Sequence, residues 1–534
     1  MKFISLLSTL AFFSILNVTT SSRILFVVAF PGKSHWLMFE PLINELLNRG
    51  HEVTTITHYP LKTDSKSYKE ILINPPWIWD EKVNMSAYFT RAVRKESVIF
   101  KITSLWGFGI STTQFTLESP SVKSFIENDN SKFDLVISEQ FQQESMNMFA
   151  HKYNSPLITI GTLDYADYMH NAQGQITPWS HVPHFVSYST DKMSFMERLE
   201  NIFVSLYDAI GRKLYYLPKM TELARKAFEK LENQQGGRLP SVEQLEKRIS
   251  VHLMNAHPAF SYPRPKMPGM VDIAGVHIKA LKPLPNDIQK FLDDANDGVI
   301  LVSFGTFLQS SKMPPEKYQA MIDAFSSLKQ RIIWKWEDDK KFPPNIYTSK
   351  WLPQAEILAH KNVKLMIGHG GIFGAQEAVY YGKPMIIYPF YGDQHLNGFK
   401  IEQSGIGILQ SMDELSTESL LHAINHVIHN ETFYKNIKIK SEIFKANQNS
   451  PLETALWWIE YVLIFNGAPH LQSPARNLPW FRYLSLDIAF VIFGALYIIY
   501  DFIRKLFNKL STDKTEGQKT NNVKNNKSKK KKSE

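Results

Sequence analysis

At 534 residues the chain is too long for one compact core, and 44% hydrophobic with 21% charged residues is a globular composition. The formal net charge is +9, but residues 504–534 hold eleven Lys/Arg against three acidic residues, so the rest is about neutral and offers nucleic acid little electrostatic footprint. The absence of cysteine excludes disulfides, a cysteine nucleophile, thiolate-bound zinc and iron–sulfur clusters.

Met1 and Lys2 precede an apolar run from Phe3 to Val18, closed by Thr19, Thr20, Ser21 and Ser22, which predicts a secretory signal over 1–22. Arg23 to Ala29 reads as a buried parallel strand. The loop Phe30-Pro31-Gly32-Lys33-Ser34-His35 leads into a helix from Trp36 to Asn48, with Pro41 tolerable only in its first turn. His51 to Thr57 resumes a strand, and strand–helix–strand is the seed of a doubly wound sheet. From about Pro60 to Leu231 the pattern is irregular and aromatic, with Trp77, Trp79, Phe100, Trp106 and Phe108 reading either as core or as walls of an apolar acceptor pocket. An N-terminal domain is expected over 23–260, a proline-rich linker over 261–285 and a second αβ domain over 286–479, where strands begin at Val299, Arg331, Val363 and Pro384.

Residues 480–503 are long and apolar enough to cross a bilayer, with Trp480, Phe481, Tyr483, Tyr497 and Tyr500 placed for its interfaces. The basic tail, 504–534, predicts a cytosolic end, and Lys531-Lys532-Ser533-Glu534 resembles a dilysine retrieval signal. The expectation is a single-pass protein of the endoplasmic reticulum membrane, lumenal up to the span. Asn84-Met85-Ser86 and Asn430-Glu431-Thr432 are then glycosylation acceptors, whereas the sequon at Asn526 stays unmodified.

In open αβ sheets, ligands bind beyond the carboxyl ends of the strands. Four loops with unusual polar and glycine residues fall there: Ser303-Phe304-Gly305-Thr306, Trp351-Leu352-Pro353-Gln354, Gly368-His369-Gly370-Gly371 and Gly392-Asp393-Gln394. Glycines 370, 371 and 374 allow close backbone approach and open a helix whose free N–H groups favour a diphosphate. His369 can donate to a phosphate oxygen, Trp351 offers a face to a uracil ring, and Gln354 meets the nucleotide edge. Glu377 can accept from ribose hydroxyls, while Asp393 and Gln394 suit a sugar's vicinal hydroxyls. Each signal alone also fits a structural role. His35, taken alone, is as readily structural as catalytic. The histidines are scattered with no metal-ligand spacing, so no metal site is expected.

The run from Trp351 to Gln394, with Gly368-His369-Gly370-Gly371-Ile372-Phe373-Gly374-Ala375-Gln376-Glu377 and Pro389-Phe390-Tyr391-Gly392-Asp393-Gln394, resembles the signature of the UDP-glycosyltransferase family, especially its membrane-bound, insect-like animal members. The resemblance implies an α/β fold of two Rossmann-like domains facing across a cleft, the GT-B arrangement, followed here by one transmembrane helix. It implies a UDP-sugar donor, UDP-glucose by the invertebrate likeness with UDP-glucuronic acid as runner-up, and a small lipophilic acceptor. Ala375 would face the diphosphate, Arg264 the phosphates, with Ser303 and Thr306 as softer contacts. His35 would be the general base of an inverting, metal-independent displacement, supported by Glu139 where the family usually has Asp. A silent lipophile-binding protein and a sugar-nucleotide epimerase are the competing readings, and a homo- or hetero-oligomer stays open.

Overall fold

The computed structural model describes residues 21–73 and 97–530, in two compact units, Met1–Ser473 and Pro474–Glu534. The signal stretch up to Thr20, Trp77, Trp79, Asn84 and Lys531-Lys532 lie outside the described residues.

The first unit holds two parallel sheets. One contains β1 (Arg23–Val28), β2 (Glu52–Thr57), β3 (Tyr68–Leu72), β4 (Leu135–Glu139), β5 (Leu157–Gly161), β6 (Ile249–Met254) and β7 (Met270–Asp272), ordered β3-β2-β1-β4-β5-β6-β7. The other contains β8 (Val299–Ser303), β9 (Arg331–Lys335), β10 (Ile346–Ser349), β11 (Val363–Gly368), β12 (Met385–Ile387) and β13 (Gly407–Leu409), ordered β10-β9-β8-β11-β12-β13. Strands β4, β5, β6 and β8 are buried along their whole length, as parallel strands covered by helices on both faces must be. Chain order reverses between β1 and β4 in the first sheet and between β8 and β11 in the second, and both pairs are hydrogen-bonded neighbours. Loops leaving such a pair diverge, which opens a crevice at its carboxyl end. Both halves are Rossmann-like, and the arrangement is GT-B.

Helix α1 (Lys33–Asn48) follows β1 and buries Trp36, Met38, Phe39, Leu42, Ile43 and Leu46 against the first sheet. It begins three residues earlier than expected, so Pro41 lies in its interior rather than its first turn. Without an N–H, Pro41 cannot bond the carbonyl of Leu37 one turn back. Helices α2 (Val98–Leu117) and α3 (Phe195–Gly211) belong to the N-terminal half, α4 (Ile372–Tyr380) and α5 (Gln394–Gln403) to the C-terminal half.

The expected linker at 261–285 is partly structured, because Met270–Asp272 forms β7, the edge strand paired with β6. Three residues are too few to show a strand pattern among prolines. Beyond β7, Ile273 and Val276 enter the first core while Ala274 enters the second, so the crossing is stapled to both. The chain then crosses back: α6 (Pro451–Ile464) packs Ala455, Leu456, Ile459 and Val462 with Ile24 and Phe26. Arg49 fastens it by donating to Glu453 (2.6 Å) and Glu460 (3.0 Å).

In the second unit a helical turn, Trp480–Tyr483, precedes Ser485, whose φ of 54° interrupts the helix. Helix α7 (Leu486–Lys530) follows. Within the expected span, 480–503, the long apolar helix therefore begins at Leu486. Among the described residues, Leu486–Lys519 is the one helix long and apolar enough to cross a membrane.

Candidate functional site

A cavity of about 410 Å³ opens at the carboxyl ends of β8, β9, β11 and β12. Its walls include Ser303, Thr306, Trp351, Gln354, His369, Gly371, Gly374, Ala375 and Glu377, nine of the residues expected at the donor site. Ser34 and Leu37 of α1 close it from the N-terminal half. Three of the four expected loops, 303–306, 351–354 and 368–371, thus meet because strand order, not sequence order, decides their neighbours.

The glycines serve mutual packing as well as ligand access. Gly305 has φ +84°, and a Cβ there would lie 2.7 Å from His369 Cε1. A Cβ on Gly371 would also strike the imidazole, so His369 is clamped between two glycines. A Cβ on Gly374 would sit 3.2 Å from Gln354 Nε2, and its absence lets that amide donate to Glu377 Oε2 at 2.6 Å. Gly371 also precedes α4 without a capping side chain, leaving first-turn N–H groups for an anion.

Burial pushes the Glu377 carboxyl up to about 7, with the Gln354 hydrogen bond opposing and Glu356 reinforcing. Burial lowers His369 to about 4, opposed by its hydrogen bond to the Ser303 carbonyl and aided by Lys335. Burial therefore favours the neutral imidazole at His369.

On the facing side, His35 follows β1 and Glu139 ends β4, the two strands at the switch point of the first sheet. Glu139 Oε1 lies 2.5 Å from His35 Nδ1, and its Oε2 accepts from the Phe30 N–H at 3.2 Å. Thr162 Oγ1 meets the same Nδ1 at 2.9 Å. With both partners on Nδ1, the tautomer is fixed and Nε2 is the nitrogen left to act. Phe30 and Phe141 pack on the imidazole at 4.2 and 4.8 Å, and Phe373 of α4 approaches to 6.4 Å from the other half. The extra methylene of Glu139, relative to the usual Asp, is accommodated within hydrogen-bond distance.

Three expected residues are not on the cavity wall. Asp393 Oδ2 accepts from Asn397 Nδ2 at 2.7 Å, and burial raises its carboxyl against the opposing pull of Asn397, Lys400 and His35. It therefore lies within electrostatic reach of the His35 dyad. Gln394 is buried and its Oε1 accepts from Phe390 N (2.8 Å) and Tyr391 N (3.2 Å), so its carbonyl shapes the loop and only its amide nitrogen is left for a ligand. Arg264, expected beside the phosphates, instead donates to the Tyr165 carbonyl at 3.0 Å and lies near Asp164. Those contacts hold it on the N-terminal side. Asn430 caps the helix Glu431–Lys445 by accepting from Thr432 N at 3.0 Å. Among the described residues no three His, Cys, Asp or Glu converge as a metal site.

Other groups were not anticipated. Thr162 follows β5 and Lys335 ends β9, so the strand-end rule points to both. Lys33 Nζ sits 3.8 Å from the Trp351 ring centroid, so a stacked base must use the other face or displace the ammonium. Asp164 and Lys400 form a buried pair at 2.7 Å between the halves. No local pattern announces either contact.

A family model described as UDP-glucoronosyl and UDP-glucosyl transferase matches residues 24–517. UDP-glycosyltransferase UGT5 of Dactylopius coccus is 33% identical over 495 residues, covering 91% of this chain and 92% of that protein. UDP-glucosyltransferase 2 of the same insect is 31% identical over 525 residues, covering 96% and 99%. The crystal structure of CalG4, the calicheamicin glycosyltransferase, superposes with a TM-score of 0.55 at 18% identity, covering 84% of this chain and all of that one, a likeness of fold.

Proposed function

The chain belongs to the UDP-glucoronosyl and UDP-glucosyl transferase family, and from that premise we propose that it transfers glucose from UDP-glucose to a hydroxyl of a small lipophilic acceptor, with His35 as general base. The observation that carries the reading is the dyad: Glu139 2.5 Å from His35 Nδ1, a free Nε2, and two neighbours of His35 on α1 lining the donor cavity.

The chemistry follows from that geometry. Nε2 takes the acceptor's hydroxyl proton as the oxygen attacks the anomeric carbon. The bond to UDP breaks with its electron pair leaving on the diphosphate, and the anomeric centre inverts. Glu139 stabilises the imidazolium that forms. Trp351 stacks the uracil, Gln354 and Glu377 exchange their mutual bond for contacts with the nucleoside, and the N-terminus of α4 with Gly371, Gly374 and Ala375 receives the diphosphate. Ser303 and Thr306 line the phosphate side, and Asp393 takes sugar hydroxyls close to the dyad.

Glucose is supported by the printed name of one relative, the UDP-glucosyltransferase 2 of Dactylopius coccus. UDP-glucuronic acid is the second reading, favoured by Lys335 and Lys279 on the cavity wall, although both already pair, with Glu337 and Glu40 at 2.5 Å. The test is full-length protein in microsomes given each donor with phenols, steroids and pigments, products being read by mass. A hexose adduct with UDP release is expected. Glucuronide alone would reverse the donor assignment, and UDP-sugar conversion without acceptor would reverse the reaction.

The same reading makes α7 the anchor, with the larger unit in the lumen of the endoplasmic reticulum and the basic tail in the cytosol. Protease on sealed microsomes should then remove only the tail, and a glycosidase should shift a form modified at Asn430. A shift traced to Asn526 would contradict this topology.

A further inference from the structure

Three wholly buried polar residues, Thr162, Asn255 and Gln376, run from the dyad to the donor helix. Strands β5 and β6 are parallel neighbours whose register pairs Gly161 with Met254, so Thr162 and Asn255 leave the sheet side by side. Thr162 Oγ1 meets His35 Nδ1 at 2.9 Å. Asn255 holds the turn that carries Thr162 twice, its backbone N–H donating to the Gly161 carbonyl at 3.0 Å and its Nδ2 to the Thr162 carbonyl at 2.9 Å. Gln376, on α4 between Ala375 and Glu377, donates through Nε2 to the Asn255 carbonyl at 3.3 Å. The rest of the turn also engages the C-terminal half: Leu163 packs against its core and Asp164 pairs with Lys400 of α5. Burial alone does not account for these side chains. Gln376 Oε1 and Asn255 Oδ1 are buried without a hydrogen-bond partner among the described residues, which is destabilising. An apolar side chain of the same length would fill the interface at less cost. What it would lack is an N–H with a direction.

We propose that Asn255 and Gln376 are positioning residues for His35, acting through Thr162, so that docking of the donor helix against the N-terminal half completes the pose of the base. The inference rests on the reading of His35 as general base. One hydrogen bond, between Nδ1 and Glu139, leaves the imidazole free to swing about it. A second oxygen on the same nitrogen, from Thr162, restrains that swing and aims Nε2. Thr162 can do so only while its turn stays in place. Two carbonyls of that turn are held by Asn255, whose own carbonyl is held from α4. A small misplacement of a general base changes the rate of proton transfer far more than it changes binding. None of the three side chains lines the donor cavity, so their loss bears on kcat rather than on UDP affinity.

Gln376→Met keeps the length of the side chain and removes its donor, while Asn255→Ala keeps both backbone bonds and removes only Nδ2. In the full-length protein in microsomes, given UDP-glucose or UDP-glucuronic acid with an alcohol acceptor, each should lower kcat roughly tenfold and leave inhibition by UDP unchanged. Thr162→Val should do the same, and Thr162→Ser, which keeps the hydroxyl, should retain parental turnover. In the three slow variants the acidic limb of the pH–rate profile should move to lower pH, because the imidazolium loses a hydrogen-bond acceptor. Adding Gln376→Met to Thr162→Val should slow the enzyme no further, since one change acts through the other. Parental kcat and profile in Gln376→Met and Asn255→Ala, or losses that multiply in the double variant, would overturn the inference and leave His35 as base. Weaker inhibition by UDP in step with the fall in kcat would assign Gln376 to the fold of the donor helix and overturn it as well. His35→Ala with the parental pH–rate profile would instead overturn the base, and the inference with it.

Discussion

The two halves of the larger unit place functional side chains at the same point of the same topology, yet hold them differently. In the N-terminal half, the switch between β1 and β4 carries one dyad, His35 and Glu139, completed by Thr162 and enclosed by Phe30 and Phe141. Its side-chain hydrogen-bond partners are both on Nδ1, which leaves Nε2 for the proton transfer proposed for it. In the C-terminal half, the loops around the switch between β8 and β11 carry polar groups already paired with one another: Gln354 with Glu377 and Asp393 with Asn397. A chemical step needs one group poised in advance, since reorganisation during reaction adds to the barrier. A nucleotide site can keep its groups satisfied when empty and exchange those bonds on binding, which avoids buried unpaired atoms.

The largest expected effect breaks the N-terminal side. His35→Ala should lower kcat on weakly acidic alcohols by roughly 10²–10⁴-fold, and less on acidic phenols, with UDP affinity unchanged. Glu139→Gln should lower kcat and the apparent pKa of the base, because the charge stabilising the imidazolium is gone. Turnover and a pH–rate profile on both acceptor types check this. An active His35→Ala enzyme with the parental profile would remove His35 as base. Next in size, Trp351→Ala should weaken UDP by about 1–3 kcal/mol through lost stacking, read by calorimetry, with little change in kcat at saturating donor. Equal losses of UDP affinity in the His35 and Trp351 variants would erase the division between the halves.

That division was legible to different depths. The loops at 303–306, 351–354 and 368–371 were readable because glycine and polar residues interrupt apolar strands, and the strand-end rule then brings them together. The His35 dyad was not readable from the pattern, since Glu139 and Thr162 are 104 and 127 positions away and only the sheet order makes them neighbours. It was reached through family likeness. What neither route reached depends on tertiary partners: the neutral state of His369, the engagement of Arg264 by Tyr165, the ammonium of Lys33 over Trp351. In the fold, β7 escaped notice because a three-residue strand has no periodicity, and α1 began early because Gly32, not Trp36, marks its entry.

A smaller effect sharpens the donor side through pH. Burial places the Glu377 carboxyl at about 7. Ribose hydroxyls donate, so they favour the carboxylate and lower that value on binding. Below about pH 7 the proton must first be lost, and UDP affinity should therefore fall as pH drops from the high sevens toward 6. Glu377→Gln should bind more weakly and lose this dependence. A parental slope in Glu377→Gln, measured by titration at several pH values, would show that another group is responsible.

The smallest expected change in donor binding is at Arg264, where likeness to the family and the observed geometry point in different directions. A phosphate-binding arginine would make Arg264→Met a strong binding defect. The guanidinium instead holds the Tyr165 carbonyl and neighbours Asp164, whose carboxyl is kept well below its usual range, against the effect of burial, by Lys400 and Arg264. Arg264→Met should thus leave UDP affinity nearly unchanged while lowering stability by roughly 1–3 kcal/mol, as one carbonyl loses its donor and Asp164 one of its two cations. Because the folded Asp164 value is depressed, its contribution is fully present above the unfolded value near pH 4 and is lost as pH falls below it. The stability difference between Arg264→Met and the parent should accordingly be largest at neutral pH and narrow in acid, as measured by denaturant unfolding of the full chain in detergent. A large loss of UDP binding with unaltered stability would move Arg264 to the donor side and redraw the boundary between the two halves.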